Sequence, residues 1–261
     1  MLYRIFLIFF SWILFTYSSD ATSLESRLAN FPQWKQKPPT KIAKGDLYYP
    51  LWMRGDWRVT STLLDQVAPL APEISSPGFK NNREYLNEDV KFNVRFTANF
   101  LRFDPRSYLN KISESVKLTK RKAEKRIIAD RVYNGTNIAK TYLGDSQVVS
   151  VKVDPENPNQ QITVLAGDRQ LISKVTGRAS ETPSNNRFIT SEIANQMFKS
   201  PERIYLNEVE TTSDYRLITP DQITARQITA IYLSPQDPDY FKAGKRPIAL
   251  YLYRLNLQKI T

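Results

Sequence analysis

The strongest constraint on the fold comes from residues 90–100. There Val90, Phe92, Val94, Phe96, Ala98 and Phe100 alternate with Lys91, Asn93, Arg95, Thr97 and Asn99. Successive side chains of a β-strand point to opposite faces, so this stretch is a strand with one apolar and one wet face. Antiparallel sheets with one solvated side carry that alternation, whereas strands buried on both faces read as unbroken apolar runs. An earlier strand is expected over Trp57–Leu64, dense in β-branched residues and ended by a loop holding Pro69, Pro72, Pro77 and Gly78. Later strand signals fall at 147–153, 161–166, 170–176, 187–193, 204–211, 214–219, 222–233 and 247–257. Turn residues such as Asp154-Pro155, Asn157-Pro158 and Gly167-Asp168 punctuate them. So many short strands predict a mainly β chain, an antiparallel barrel or sandwich.

Two segments break the strand rhythm. Residues 24–50 are rich in Pro and Lys, with Pro32, Pro38, Pro39 and Pro50, and proline removes backbone donors, so an extended lead-in that straps across the barrel is expected. Between Asp104 and Leu143 charged residues and helix formers predominate, with a helix expected from Ser113 to Tyr133 and a further turn from Thr136 to Tyr142. The chain thus divides into 1–21, a lead-in 22–50, and a single domain 51–261 with a helical insertion over about 105–143.

Residues 1–21 read as a signal peptide: a short positive start up to Arg4, an apolar run from Ile5 to Phe15, and small residues at Ser19 and Ala21. The apolar stretch around that run, about 13 to 16 residues with its flanks, falls short of the roughly 20 needed to span a bilayer. Export is therefore the expectation.

The chain contains no cysteine and no histidine. Disulfides, thiolate nucleophiles, Ser/His/Asp triads and the commonest metal ligands are thereby excluded. The candidate acids Asp56, Asp65, Glu73, Asp104 and Asp214 show no spacing tied to a mechanism, and no phosphate loop or calcium loop is present. Catalysis, a cofactor and a metal are not expected. The net charge of +11 raises the question of anionic partners. Part of it is concentrated in Lys117, Lys120, Arg121, Lys122, Lys125, Arg126 and Arg131, which read first as a solvated helix face. With no RNA-binding signature and with export expected, nucleic acid is not an expected partner.

Gly55-Asp56-Trp57 resembles the Gly-x-Trp signature of the lipocalins, in which the Trp closes the barrel floor. Ser213-Asp214-Tyr215 resembles the Thr-Asp-Tyr element of that superfamily, and Arg254 is placed to act as the arginine over the floor Trp. The resemblance implies an antiparallel lipocalin-like β-barrel with Gly55, Trp57, Asp214, Tyr215 and Arg254 as its structural floor. Pro50, Trp52, Gly55, Trp57, Val59, Thr60-Ser61-Thr62-Leu63 and Pro69-Leu70 together resemble the opening motif of an uncharacterised family from cyanobacteria and plastids. That likeness implies an exported site, the thylakoid lumen or the periplasm, and brings no activity with it.

Inward residues of a small barrel either fill it or surround one apolar molecule. Trp52, Phe92, Val94, Phe96 and Phe100 are accordingly candidates to line a cavity for a hydrophobic small molecule such as a lipid, pigment or quinone. The alternative is a structural or assembly factor that docks on an acidic protein complex or an anionic membrane surface through Lys117, Lys120, Arg121, Lys122 and Lys125.

Overall fold

The computed structural model describes residues 23–99 and 126–260. The segment read as a signal peptide, Phe100 and the basic residues Lys117, Lys120, Arg121, Lys122 and Lys125 lie outside them. The described chain begins with a short helix α1 (Leu24–Ala29) and a two-residue strand β1 (Lys41–Ile42). The strands β2 (Gly55–Val67), β3 (Asp89–Asn99) and β4 (Arg126–Ala129) follow, then helix α2 (Arg131–Leu143). Beyond it come β5 (Val148–Val153), β6 (Gln160–Leu165), β7 (Arg169–Ser184), β8 (Arg187–Lys199), β9 (Ile204–Thr219) and β10 (Gln222–Leu233). A four-residue helix α3 (Tyr240–Ala243) leads into β11 (Ala249–Lys259).

These strands form one antiparallel sheet in the order β4-β3-β2-β11-β10-β9-β8-β7-β6-β5, curled into a half-barrel. Its two edges, β4 and β5, do not pair with each other, and two chain segments bridge them. Helix α2 leaves β4, leads towards β5 and packs against β3, β5 and β6. Towards the other end, β6 pairs with β7 only as far as Lys174, and β1 takes over beyond it, with Lys41 opposite Arg178 and Ile42 opposite Gly177. The strap then crosses to β4, where the Tyr49 amide donates to the Ile127 carbonyl at 2.8 Å.

Gly177 permits that strap. A methyl group at this position would lie 2.4 Å from Thr40 Oγ1, well inside contact distance. Gly177→Val is expected to cost about 1–3 kcal/mol through overpacking, seen as a lower urea midpoint and faster proteolysis between residues 35 and 48.

Apolar side chains pack on both faces of the sheet. On the concave face Met53, Trp57, Val59, Val94, Phe96, Ile127, Phe188, Ile223 and Leu257 form the main core at the strap end. On the convex face Ile189, Ile228, Ala230 and Leu250 are covered by Leu24 and Leu28 of α1 and by Trp34. The period of two assigns the faces: Phe188 faces in and Ile189 out, Ala225 in and Ile228 out.

The structure departs from the sequence reading at three places. In the lead-in, residues 24–29, expected to be extended, form α1 because the Ser23 hydroxyl caps it, accepting from Ser26 N at 3.1 Å. Residues 126–129, expected to be helical, form β4, because Ile127 and Ile128 are β-branched and β3 offers them an open edge. Among the described residues the helix α2 begins at Arg131, capped by Asp130, whose carboxylate accepts from the Tyr133 amide at 3.1 Å, while residues 113–125 of the expected helix lie outside them. The strands expected at 204–211 and 214–219 are one 16-residue strand. Thr212 and Ser213, which resemble a break, are both buried in it.

Candidate functional site

Above the core, the concave face does not fill. A cavity of about 810 Å³ lies between α2 and the inner wall of β6 to β9. A second, of about 320 Å³, lies between α2 and the inner faces of β2, β3, β10 and β11. Tyr49, Ala129, Asn134, Ile138 and Tyr142 line both, so helix α2 and the strap residue Tyr49 divide one concave space into two chambers.

Asn134 fixes the helix in this position. Its side chain pairs with the backbone of β3 as another strand would, accepting from Arg95 N at 2.6 Å and donating to Arg95 O at 3.2 Å. The apolar stripe Ile138, Ala139, Tyr142 and Leu143 then faces the chambers. No residue of α2 is buried, and Leu143 remains 49% exposed. A helix with an apolar face ordinarily buries it against core; here Ala139 packs against Val148, Val151 and Leu165 and Tyr142 contacts Phe92, while Ile138 and Leu143 border unfilled space.

The strap end of the larger chamber is charged. Glu192 accepts from Arg178 Nε at 2.9 Å and Nη2 at 2.7 Å, and Arg131 Nη2 stands 3.4 Å away. Arg178 is fixed in turn by Asn159 Oδ1 at 2.8 Å and by the Gly45 carbonyl at 3.1 Å. Arg131 and Glu192 line the cavity, and Tyr49, whose ionisation burial disfavours strongly, lies beside them. Asp46 joins this group, and burial raises its pKa above 3.8 against the opposing pull of Arg131 and Arg178. A carboxyl held higher in the fold stabilises the fold while protonated. Its contribution is full below 3.8 and is lost as pH rises through the raised value. Asp46→Asn should therefore raise the melting temperature at pH 7 and leave it nearly unchanged at pH 3, measured by differential scanning calorimetry.

The sequence candidates divide by position. Phe92, Val94 and Phe96 line the smaller chamber, with Val94 and Phe96 also in the core. Trp52 is packed against the core and donates from Nε1 to the Asn185 carbonyl at 3.0 Å, at the floor and away from both chambers. Trp57 is fully buried there, its Nε1 donating to Met53 O at 2.8 Å. Gly55 carries a φ of +132°, a conformation that side-chain-bearing residues rarely adopt.

Arg254 does not lie over Trp57. It is exposed, its Nη2 is 3.5 Å from Thr62 Oγ1, and the cation above the indole is Lys259 Nζ at 5.6 Å. Leu255 and Leu257 face the core, so alternation sends Arg254 outward and brings Lys259 in. Asp214 likewise faces the convex side, held by Arg187 at 2.8 and 2.9 Å and by Arg216 at 3.1 Å. Its neighbour Tyr215 points into the core and the smaller chamber. Of the basic run, Arg126 lies over the Tyr48 ring at 4.5 Å and Arg131 faces the chamber.

The wall of the larger chamber went unnoticed in the sequence. Gln161, Ser173 and Gln196 are polar residues facing inward, so β6 to β8 lack the apolar alternation that marks β3. Among the described residues no group of carboxylates could hold a metal ion, and no helix is long and apolar enough to cross a membrane.

The family model described as Domain of unknown function (DUF6816) matches residues 41–261. The chain belongs to the DUF6816 family. The match starts at the first residue of β1, so the DUF6816 region takes in the strap, the half-barrel and α2, while α1 and Trp34 precede it. No curated protein and no solved structure matches this DUF6816 chain.

Proposed function

We propose that this DUF6816 protein is an exported, non-catalytic binding protein whose lipocalin-like half-barrel holds a hydrophobic small molecule of the lipid, pigment or quinone class. The observation that carries this reading is the 810 Å³ chamber under the apolar stripe of α2. Binding pockets for small molecules fall between about 300 and 1,000 Å³ and combine apolar walls with a few placed polar groups. The chamber has that character: Leu165, Leu171, Val175 and Phe198 supply apolar wall, and Arg131 with Glu192 supply a charged end. A guest would bury the part of the α2 face that the protein leaves uncovered, Ile138 and Leu143 above all, at roughly 25 cal/mol per Å² of apolar area. The resemblance of Pro50 to Leu70 to cyanobacterial and plastid chains, with the apolar run at residues 5–15, supports a place in the thylakoid lumen or periplasm.

Ala194 provides the test. It lines the chamber between Val175 and Val209, its partners in register on β7 and β9. An indole at this position would displace roughly 100 Å² of ligand contact, about 2.5 kcal/mol or about 70-fold in Kd. Ala194→Trp should therefore weaken binding of the fluorescent lipid parinaric acid by about that factor while the melting temperature stays close to that of the unsubstituted protein. Unchanged affinity in a folded Ala194→Trp protein would place the guest elsewhere and defeat the proposal.

A further inference from the structure

The register of the sheet orders the inner wall of the larger chamber into rows. Gln161 on β6 lies opposite Ser173 on β7, Ser173 opposite Gln196 on β8, and Gln196 opposite Asn207 on β9. Directly opposed residues on one face have Cβ atoms about 4.5–5.5 Å apart, so these side chains form a continuous polar band, of which Gln161, Ser173 and Gln196 line the chamber and Asn207 lies beyond its edge. The next row towards the strap, Val175, Ala194 and Val209, is apolar. Towards the other end lies the row of Thr163, Leu171 and Phe198. The band thus crosses the middle of the chamber, about 13 Å from the charged pair Arg178–Glu192, taking four residues of β8 at roughly 3.4 Å each.

The hydrogen-bonding capacity of the three residues that line the chamber is unspent. Among the described residues, the side chains of Gln161, Ser173 and Gln196 make no hydrogen bond within the protein, and Asn207 Oδ1 is buried with no partner. Gln161, Ser173 and Gln196 are half-buried, so a guest that closed over them without offering a partner would leave them unpaired at a cost in free energy. Other polar residues nearby are paired: Asn134 with the Arg95 backbone, and Gln147 with Arg169 at 2.7 Å. A chamber meant only for hydrocarbon would carry Leu, Val or Met in this band.

We propose that the Gln161–Ser173–Gln196 band is a specificity element that selects an amphiphile carrying a hydrogen-bonding oxygen, a hydroxyl or carbonyl, part-way along an apolar body. The inference rests on the binding-protein reading and narrows its ligand class. Amide and hydroxyl side chains both donate and accept, so the band satisfies either group. A bare chain there would leave the band's polar groups unpaired, which is the basis on which a polar site rejects an analogue lacking the matching group.

The test is competition against bound parinaric acid by stearic acid and by a hydroxystearic acid with its hydroxyl at mid-chain. The two differ only in that hydroxyl, so head-group contacts cancel. The protein should prefer the hydroxylated chain by about tenfold. In the Q161M/Q196M double variant, which keeps side-chain length, the preference should vanish while stearic acid binds at least as well as before. Equal affinities for the two acids in the unsubstituted protein would overturn this inference and leave the binding-protein reading standing. Displacement by neither acid would overturn both.

Discussion

Trp57→Ala should lower the free energy of unfolding by about 3–5 kcal/mol, the range for removing a buried aromatic side chain and leaving its cavity. Trp57 is 0% exposed and sits where the strap, β2 and the end of β11 meet. Its ring packs among Met53, Val59, Val94 and Leu257. Its indole N–H donates to the Met53 carbonyl at 2.8 Å, so truncation also leaves a buried acceptor unpaired. Trp57→Phe separates the two contributions: it keeps much of the packing and loses the hydrogen bond, and should cost clearly less than the alanine. Urea unfolding followed by circular dichroism measures both. A loss under about 1 kcal/mol for Trp57→Ala would mean that this end of the half-barrel is not closed around the indole.

Glu210→Ala is expected to destabilise by a similar amount, about 3–5 kcal/mol, for an electrostatic reason. Glu210 lies on the convex face at 0% exposure, under α1. Arg27 donates to its two oxygens at 2.6 Å each, the Tyr232 hydroxyl donates to Oε2 and the Thr212 hydroxyl to Oε1, both at 2.8 Å. The carboxylate has four donors, and Arg27 is itself held under Trp34, its guanidinium 3.7 Å from the ring centroid. Removing Glu210 strands a buried guanidinium, which is more costly than losing the pair itself. The double variant Arg27→Met/Glu210→Leu should therefore recover much of the loss. If both proteins lost the same stability, packing rather than the uncompensated charge would be responsible. Detachment of α1 should accompany the single substitution, seen as faster cleavage ahead of Pro38.

The alternation in β3 was legible because its inward residues Phe92, Val94 and Phe96 meet core and apolar chamber. It predicted a mainly β antiparallel chain with one wet face; the structure shows a mainly β chain with a curled antiparallel sheet, but its outer face is also apolar where α1 and Trp34 cover Ile189, Ile228, Ala230 and Leu250. Gly55 and Trp57 were legible as a unit for a local reason, a positive φ followed by an inward indole. Three features were less legible. The strand at 126–129 forms because β3 has a free edge, which local propensity does not report. The lysine over Trp57 follows only from carrying the parity of β11 through to its last residue. The larger chamber is the instructive case: a wall that alternates apolar and polar rows along the strands places Gln161, Ser173 and Gln196 at positions where a filled core would show apolar residues. Polar residues at inward positions therefore hid the site and, once placed, define its chemistry.

The most direct test of the central claim is mass spectrometry of an organic extract of the protein, purified without denaturant from a photosynthetic host, alongside its absorption spectrum. The account predicts one class of apolar or amphiphilic molecule at close to one equivalent per chain, lost in parallel with parinaric acid binding in Ala194→Trp. A folded protein that yields no such molecule, and takes up neither parinaric acid nor stearic acid, would contradict it.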